Sequence, residues 1–156
     1  MTRGKHMNSA GILNIAAEMN AFTKFVCMPM RGHGNVTGAD VVLVDAPCSG
    51  SGTWRRNPEG RWRLTPERLD RLVALQSRLL EIGADLVKPG GSLVYAVCSL
   101  LSREGAGQID RFLQDRSSWI SEETPIAGGR SDGTGRLLTP AHDRTDGFFV
   151  ARLRRP

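Results

Sequence analysis

The run Val41-Val42-Leu43-Val44-Asp45-Ala46-Pro47-Cys48-Ser49-Gly50-Ser51-Gly52-Thr53 constrains this chain more than any other stretch. Val41 to Val44 is too apolar for a half-exposed strand and predicts one buried on both faces, as in a parallel sheet. It ends in an acid, a proline and a thiol, followed by a Gly-rich turn. Open α/β folds collect ligands and chemistry at the carboxyl ends of their strands, which makes Asp45 and Cys48 candidate site residues. A second apolar run, Ser92 to Val97, ends in Cys98. Two strand-end thiols, one beside an acid, suggest covalent chemistry on an electrophile.

What lies between the two runs fixes their relation. Thr65-Pro66-Glu67 opens a helix with an N-cap residue, a Pro at the first helical position and an acid in the first turn. Leu69, Leu72, Val73, Leu75, Leu79, Leu80, Ile82, Leu86 and Val87 form its apolar stripe, and Lys88-Pro89-Gly90-Gly91 is a strong stop. Residues 40–98 thus read as strand, long loop, helix, strand: a βαβ unit with parallel strands. A weaker helix is expected over about Arg103 to Arg116, with Gly105 and Gly107 in its first turns. Arg136-Leu137-Leu138 and Gly147 to Leu153 predict two closing strands, an antiparallel edge on a mostly parallel sheet. Upstream, Ile12, Ile15, Ala16 and Met19 have helical spacing, Lys24 to Met28 suits a strand, and Pro29 to Asp40 reads as loop.

A chain of 156 residues fits one domain with a real core. The net charge of +5 and pI near 9.7 suit a polyanionic partner such as RNA, although a merely soluble basic domain has the same balance. Three cysteines make a poor disulfide framework, so free thiols in a reducing, cytoplasmic setting are expected. No apolar run reaches membrane-span length, and the basic start, Met1 to Met7, is not followed by the apolar stretch of a signal peptide.

A free cysteine is most often a small buried hydrophobe. Here both Cys48 and Cys98 follow a strand and precede a serine, which weakens that reading. A thiol nucleophile needs help to ionise, and Arg55, Arg56, Arg61 and Arg63 are candidate cations. Rival motifs fail on spacing. A phosphatase loop needs an Arg six positions after its Cys, where this chain has Trp54; a phosphate-binding loop needs Gly-Lys-Ser/Thr, where it has Gly52-Thr53-Trp54. No zinc or Cys-x-x-Cys pattern is present, no metal is expected, and His33 and His142 are isolated. Trp54-Arg55-Arg56 and Arg61-Trp62-Arg63 interleave base-stacking rings with phosphate-pairing cations, a candidate RNA surface beside the thiol. For Trp62, packing of the loop onto the domain is an equally good reading.

Taken together, Asp45 to Thr53, Arg55-Arg56-Asn57-Pro58, Leu75-Gln76, Lys88 to Gly91, Val94 to Leu100 and Thr145 to Ala151 resemble the signatures of the RNA cytosine-C5 methyltransferases of the Sun/Fmu (RsmB/NOP) type. Val97 stands where that family usually has Thr before the second cysteine, and Glu104 where it places an acid. The resemblance implies a Rossmann-like, S-adenosylmethionine-dependent fold and methylation of carbon 5 of cytosine in RNA, ribosomal RNA in particular. It implies that the Cys98 thiolate adds to carbon 6 of the base. Carbon 5 then takes the methyl of S-adenosylmethionine, and Cys48 assists the elimination that frees the enzyme. Asp45 would lie between cofactor and base, with Pro47 a further cofactor contact. A rival assignment makes Cys48 the nucleophile, because in DNA cytosine methyltransferases that residue follows a proline, as Cys48 follows Pro47.

The family's cofactor half, a Gly-rich loop after a first strand and acids after the next two, has no counterpart in residues 1–39. Residues 8–40 instead resemble a short internal piece of formylmethanofuran dehydrogenase, which implies a foreign extension over 1–39 and a methyltransferase portion over 40–156. No molybdenum or tungsten chemistry follows from so short a match. The sheet is thus expected to be truncated, with an exposed edge open to self-association. For such a chain, the alternatives to catalysis are a non-catalytic RNA-binding remnant and an inert fusion fragment.

Overall fold

The computed structural model describes residues 24–28 and 38–156. The helical spacing near Ile12 to Met19, the loop over most of residues 29–37 and His33 lie outside the described residues. A seven-stranded sheet organises the rest: β1 (Lys24–Met28), β2 (Ala39–Asp45), β3 (Val87–Val97), β4 (Ile120–Glu122), β5 (Arg130–Asp132), β6 (Gly135–Leu138) and β7 (Phe148–Arg154). Its order is β1-β2-β3-β7-β6-β5, with β4 also paired to β7.

The strand–helix–strand unit is present. Helix α1 (Pro66–Leu86) connects β2 to β3, which run parallel with Val42 opposite Leu93 and Asp45 opposite Ala96. The Thr65 side chain accepts a hydrogen bond from the Arg68 N–H, capping α1 as its sequence requires. The apolar stripe of α1 lies on the sheet: Leu79, Leu80 and Ala84 join Val42, Val44, Leu93, Tyr95 and Val97 in the core. Burying each of the leucines fully contributes roughly 1.5–3 kcal/mol. Gly83 allows the close approach. A Cβ there would meet Val44 Cγ2 at 2.7 Å and Leu93 Cδ1 at 3.0 Å.

Two boundaries and the long loop differ from expectation. Strand β3 begins at Val87 rather than Ser92, because Val87 pairs with Ala39 before the chain bulges through Lys88–Gly91 and resumes pairing at Ser92. The bulge is held by Gly90 N–H donating to the Arg155 carbonyl and Arg155 N–H to that of Gly91, with Lys88 paired to Asp40. Helix α2 (Ala106–Asp115) starts later than Arg103, since the Glu104 and Gly105 N–H groups both bond to the Leu101 carbonyl in a preceding turn. The long loop carries two 3₁₀ turns, Ser51–Thr53 and Pro58–Arg63.

The closing strands behave as an antiparallel edge. β7 runs antiparallel to β3, and its other side is shared by β6 and β4. A short helix α3 (Pro140–Asp143) links β6 to β7. At the opposite end, β1 runs antiparallel to β2 with Lys24 opposite Asp45, so the edge of β2 expected to be open carries a strand. No helix among the described residues is long and apolar enough to cross a membrane.

Candidate active site

Because β2 and β3 are parallel and in register at Asp45 and Ala96, their continuations leave the sheet side by side. The Ala46 N–H still bonds to the Ala96 carbonyl at 3.0 Å, and Gly52 N–H bonds to that of Cys98 at 3.1 Å. Between these ties lie Cys48 and Cys98. Both are free and half-buried, with Sγ atoms 3.3 Å apart. Asp45 is exposed at the same strand end, and its charge is felt at Cys98.

The two thiols are not equivalent. The Cys98 thiol is lowered to about 7, chiefly because the Cys48 side chain hydrogen-bonds it, against the opposing effects of burial and of Asp45 and Glu104. Cys48 is pushed far up, by that same bond and then by burial. The contact itself admits either sulfur as donor; the opposite directions of the two shifts favour the Cys48 S–H donating to a Cys98 thiolate. The sequence points to arginines for this activation, whereas in the structure the chief donor is the second thiol. Arg56 is near enough for Cys98 to affect it, but both its own pairing and that of Arg55 are with Asp146.

Below the sulfurs lies a polar cluster built around Glu104, whose side chain is fully buried. Its Oε1 accepts from the Ser49 N–H at 2.8 Å and from Gln76 Nε2 at 3.1 Å. Its Oε2 accepts from the hydroxyls of Ser49 and Ser99, each at 2.6 Å. Gln76 Nε2 also donates to the Pro47 carbonyl at 2.9 Å, and its Oε1 accepts from Gln108 Nε2 at 3.0 Å. The Ser51 hydroxyl lies 3.0 Å from that of Ser99 and accepts from the Leu100 N–H. Gln76 and Gln108 are residues that periodicity alone treats as surface or filler. For Gln76, quoted above with Leu75, the physical signal is a glutamine inside the leucine stripe of α1, between Val73 and Leu79, where a polar side chain must find partners; Gln108, in α2, is found only through its bond to Gln76.

A third strand of chain closes the site. The Gly147 N–H bonds to the Gly52 carbonyl at 2.8 Å, and a Cβ on Gly52 would fall 2.0 Å from the Gly147 carbonyl oxygen. The turn after Cys48, the turn after Cys98 and the entry to β7 therefore meet at one backbone crossing. No alternative to Gly fits there.

The arginine–tryptophan loop differs from its sequence reading in one respect. Trp54, expected to stack on a base, is half-buried with its indole Nε1 buried and unbonded, and its ring lies against Gly60. It packs the loop from within because the second 3₁₀ turn folds back over it. Trp62 is 76% exposed, with the Arg61 guanidinium 4.5 Å from its ring centroid. Arg61 and Arg63 are exposed. His142 is exposed on α3, and no cluster suited to a metal ion occurs among the described residues.

Known proteins are similar to this chain in sequence and in fold. The family described as "16S rRNA methyltransferase RsmB/F" matches residues 11–154. That match begins inside the 1–39 segment, and the expected boundary at residue 39 falls between β1 and β2, which pair in one sheet. A Synechocystis protein named "Probable ribosomal RNA small subunit methyltransferase B" is 47% identical over 121 residues, covering 74% of this chain and 27% of the relative. A Thermus thermophilus ribosomal RNA small subunit methyltransferase B is 43% identical over 118 residues, covering 75% and 29%. The crystal structure of NSun6 from Pyrococcus horikoshii with SFG superposes with a TM-score of 0.66 at 27% identity, covering 76% of this chain and 30% of that one. The chain therefore spans under a third of the length of the curated relatives it matches.

Proposed function

The chain belongs to the 16S rRNA methyltransferase RsmB/F family, and from that premise we propose that it carries the thiol chemistry of an S-adenosylmethionine-dependent cytosine-C5 methylation of ribosomal RNA. The observation that supports this most strongly is geometric: two free, half-buried sulfurs 3.3 Å apart at the ends of adjacent parallel strands.

An aromatic ring carbon is a poor nucleophile until covalent addition breaks its conjugation. In this reading the Cys98 thiolate forms the bond to carbon 6 of the cytosine, and the ring electrons displaced by that addition make carbon 5 nucleophilic. Cys48, protonated and 3.3 Å away, assists the later elimination: as the carbon 5 proton passes to water, the electrons of that C–H bond re-form the carbon 5–carbon 6 double bond, and Cys98 leaves as a thiolate that the Cys48 S–H again hydrogen-bonds. The rival assignment, Cys48 as nucleophile, is disfavoured by the burial and by the hydrogen bond that keeps Cys48 protonated.

S-adenosylmethionine, when bound, supplies the methyl group. The residues present fit one side of such a ligand: the Asp45 side chain is exposed at the strand end, has no hydrogen-bond partner among the described residues, and is open to an amine donor from cofactor or base. Pro47 follows it, with its carbonyl already bonded to Gln76. For RNA, we place the contact surface on Arg61, Trp62 and Arg63, with Arg55 and Arg56 beside it and Trp54 supporting the loop. A target base must leave any stack to reach thiols at this depth. A cytoplasmic setting agrees with free thiols.

The roles predict opposite phenotypes. Incubated with ribosomal RNA and S-adenosylmethionine, Cys48→Ala should accumulate a protein–RNA adduct that survives denaturing electrophoresis, whereas Cys98→Ala should form none. An adduct in Cys98→Ala, and none in Cys48→Ala, would assign the nucleophile to Cys48. No adduct and no methyl transfer with any variant would favour the non-catalytic reading.

A further inference from the structure

We propose that Glu104 is a positioning residue: its carboxylate ties the turn carrying Cys48 to the turn carrying Cys98 and thereby sets the spacing at which the two sulfurs meet. The inference rests on the thiol chemistry proposed above.

The geometry is specific. A carboxylate offers about four acceptor sites, and here four hydrogen bonds fill them, two on each oxygen. Two come from Ser49, the residue after Cys48, and one from Ser99, the residue after Cys98. The fourth comes from Gln76, whose same nitrogen donates to the Pro47 carbonyl, on the other side of Cys48. Both thiol-bearing turns are thus held by one carboxyl group, and Cys48 is gripped through the residues before and after it.

Glu104 is itself fixed. Its carbonyl accepts from the buried Tyr95 hydroxyl at 2.7 Å, and Tyr95 belongs to the strand that leads to Cys98. Behind Gln76 the chain of bonds continues to Gln108, which donates to the Val73 carbonyl at 2.7 Å and accepts from the Ser77 hydroxyl at 2.8 Å. This anchors the cluster in α1 and α2. A fully buried carboxyl group with no cationic partner among the described residues is costly to keep. The bonds to the two turns give it a use that an apolar residue of the same size would not supply.

The carboxylate acts on Cys98 in two opposed ways, and this makes the role testable. As a charge it disfavours the Cys98 thiolate. As a clamp it holds Cys48 where its S–H favours that thiolate. The full chain, reduced and without RNA or cofactor, is treated with iodoacetamide across pH 5.5 to 10 (values chosen to span about 7), and Cys48 and Cys98 modification is followed by peptide mass spectrometry. Glu104→Ala removes charge and clamp. Its Cys98 should react roughly tenfold more slowly near neutral pH, with the midpoint moved up toward an ordinary thiol. Glu104→Gln removes the charge but keeps a group that can bond both serines, and its Cys98 should react at least as fast as in the parent chain.

If Cys98 in folded Glu104→Ala reacts as fast as in the parent, or faster, Glu104 is a charge and not a clamp, and the proposal fails. Should Glu104→Ala not fold by circular dichroism, the paired variant Ser49→Ala with Ser99→Ala decides. It keeps the carboxyl group but loses the two hydroxyl bonds. Slower Cys98 modification supports the clamp, and an unchanged profile overturns it. Alkylation needs no methyl transfer, so these outcomes stand whether or not the chain methylates RNA.

Discussion

At the residue scale the informative contrast is between two cysteines that sequence alone leaves alike. Each follows an apolar strand and precedes a serine. Only the fold tells them apart, by burying Cys48 more deeply and leaving its proton to serve Cys98. Cys48→Ala should therefore change Cys98 even in the absence of RNA. The largest influence lowering Cys98 is removed while burial, Asp45 and Glu104 still raise it. The midpoint for Cys98 alkylation should rise from about 7 toward the ordinary thiol value of about 8.5, with the Cys98 backbone hydrogen bond still opposing part of the rise. At neutral pH the rate should fall roughly tenfold, as followed by mass spectrometry. In the parent chain, reactivity should increase with pH through about 7 because the thiolate is the reacting form. The position of both thiols was legible in the sequence, as strand-end residues of a βαβ unit. Their division of labour was not, since it depends on a 3.3 Å contact between residues 50 apart in the chain.

At the scale of elements, the loops over the site matter more than the strands beneath them. The crossing of Gly52 with Gly147 leaves no room for a methyl group. We expect Gly52→Ala to lower the thermal midpoint and to slow Cys98 alkylation together, because the shift that relieves the clash moves the turns on both sides of it. Destabilisation of about 1–3 kcal/mol is expected, as for overpacking of a tight site. The arginine–tryptophan loop separates by salt titration of RNA binding. Arg61→Ala with Arg63→Ala should flatten the dependence of log affinity on log salt by about one unit for each phosphate no longer neutralised. Trp62→Ala should weaken binding by about 1–3 kcal/mol with little change in slope, since stacking releases no counterions. Trp54→Ala should act on loop stability instead, because its ring is packed against Gly60. Interleaving of Arg and Trp could be read from the sequence. Which indole faces outward could not, because two 3₁₀ turns reverse the loop within residues 51–63.

At the scale of the molecule, a helix-bridged parallel pair extended by an antiparallel edge follows from hydrophobic patterning, a well-capped helix and Gly/Pro stops. What patterning missed is where strands trade ladder bonds for a bulge, as at Lys88–Gly91, and how an upstream segment pairs with β2. The chain spans under a third of its curated relatives' length, and Asp45 is the one proposed cofactor contact with a free polar side chain. Calorimetry of this chain with S-adenosylmethionine should accordingly give binding weaker than micromolar, that is, less favourable than about −8 kcal/mol. Tighter binding would place a complete cofactor site within these residues.

The place of β3 in the sheet has a consequence for timing. It is flanked by a parallel partner on one side and an antiparallel partner on the other, and Leu93, Tyr95 and Val97 are fully buried. Backbone amides of such a strand open to solvent only in the rarest fluctuations, close to global unfolding. Deuterium uptake should therefore be slowest along Leu93–Val97, faster across the loop of residues 54–63, and insensitive to added RNA in the former. The residue proposed as nucleophile would then sit one position beyond the last part of the chain to come apart, while the surface proposed to receive the substrate belongs to the part that breathes first.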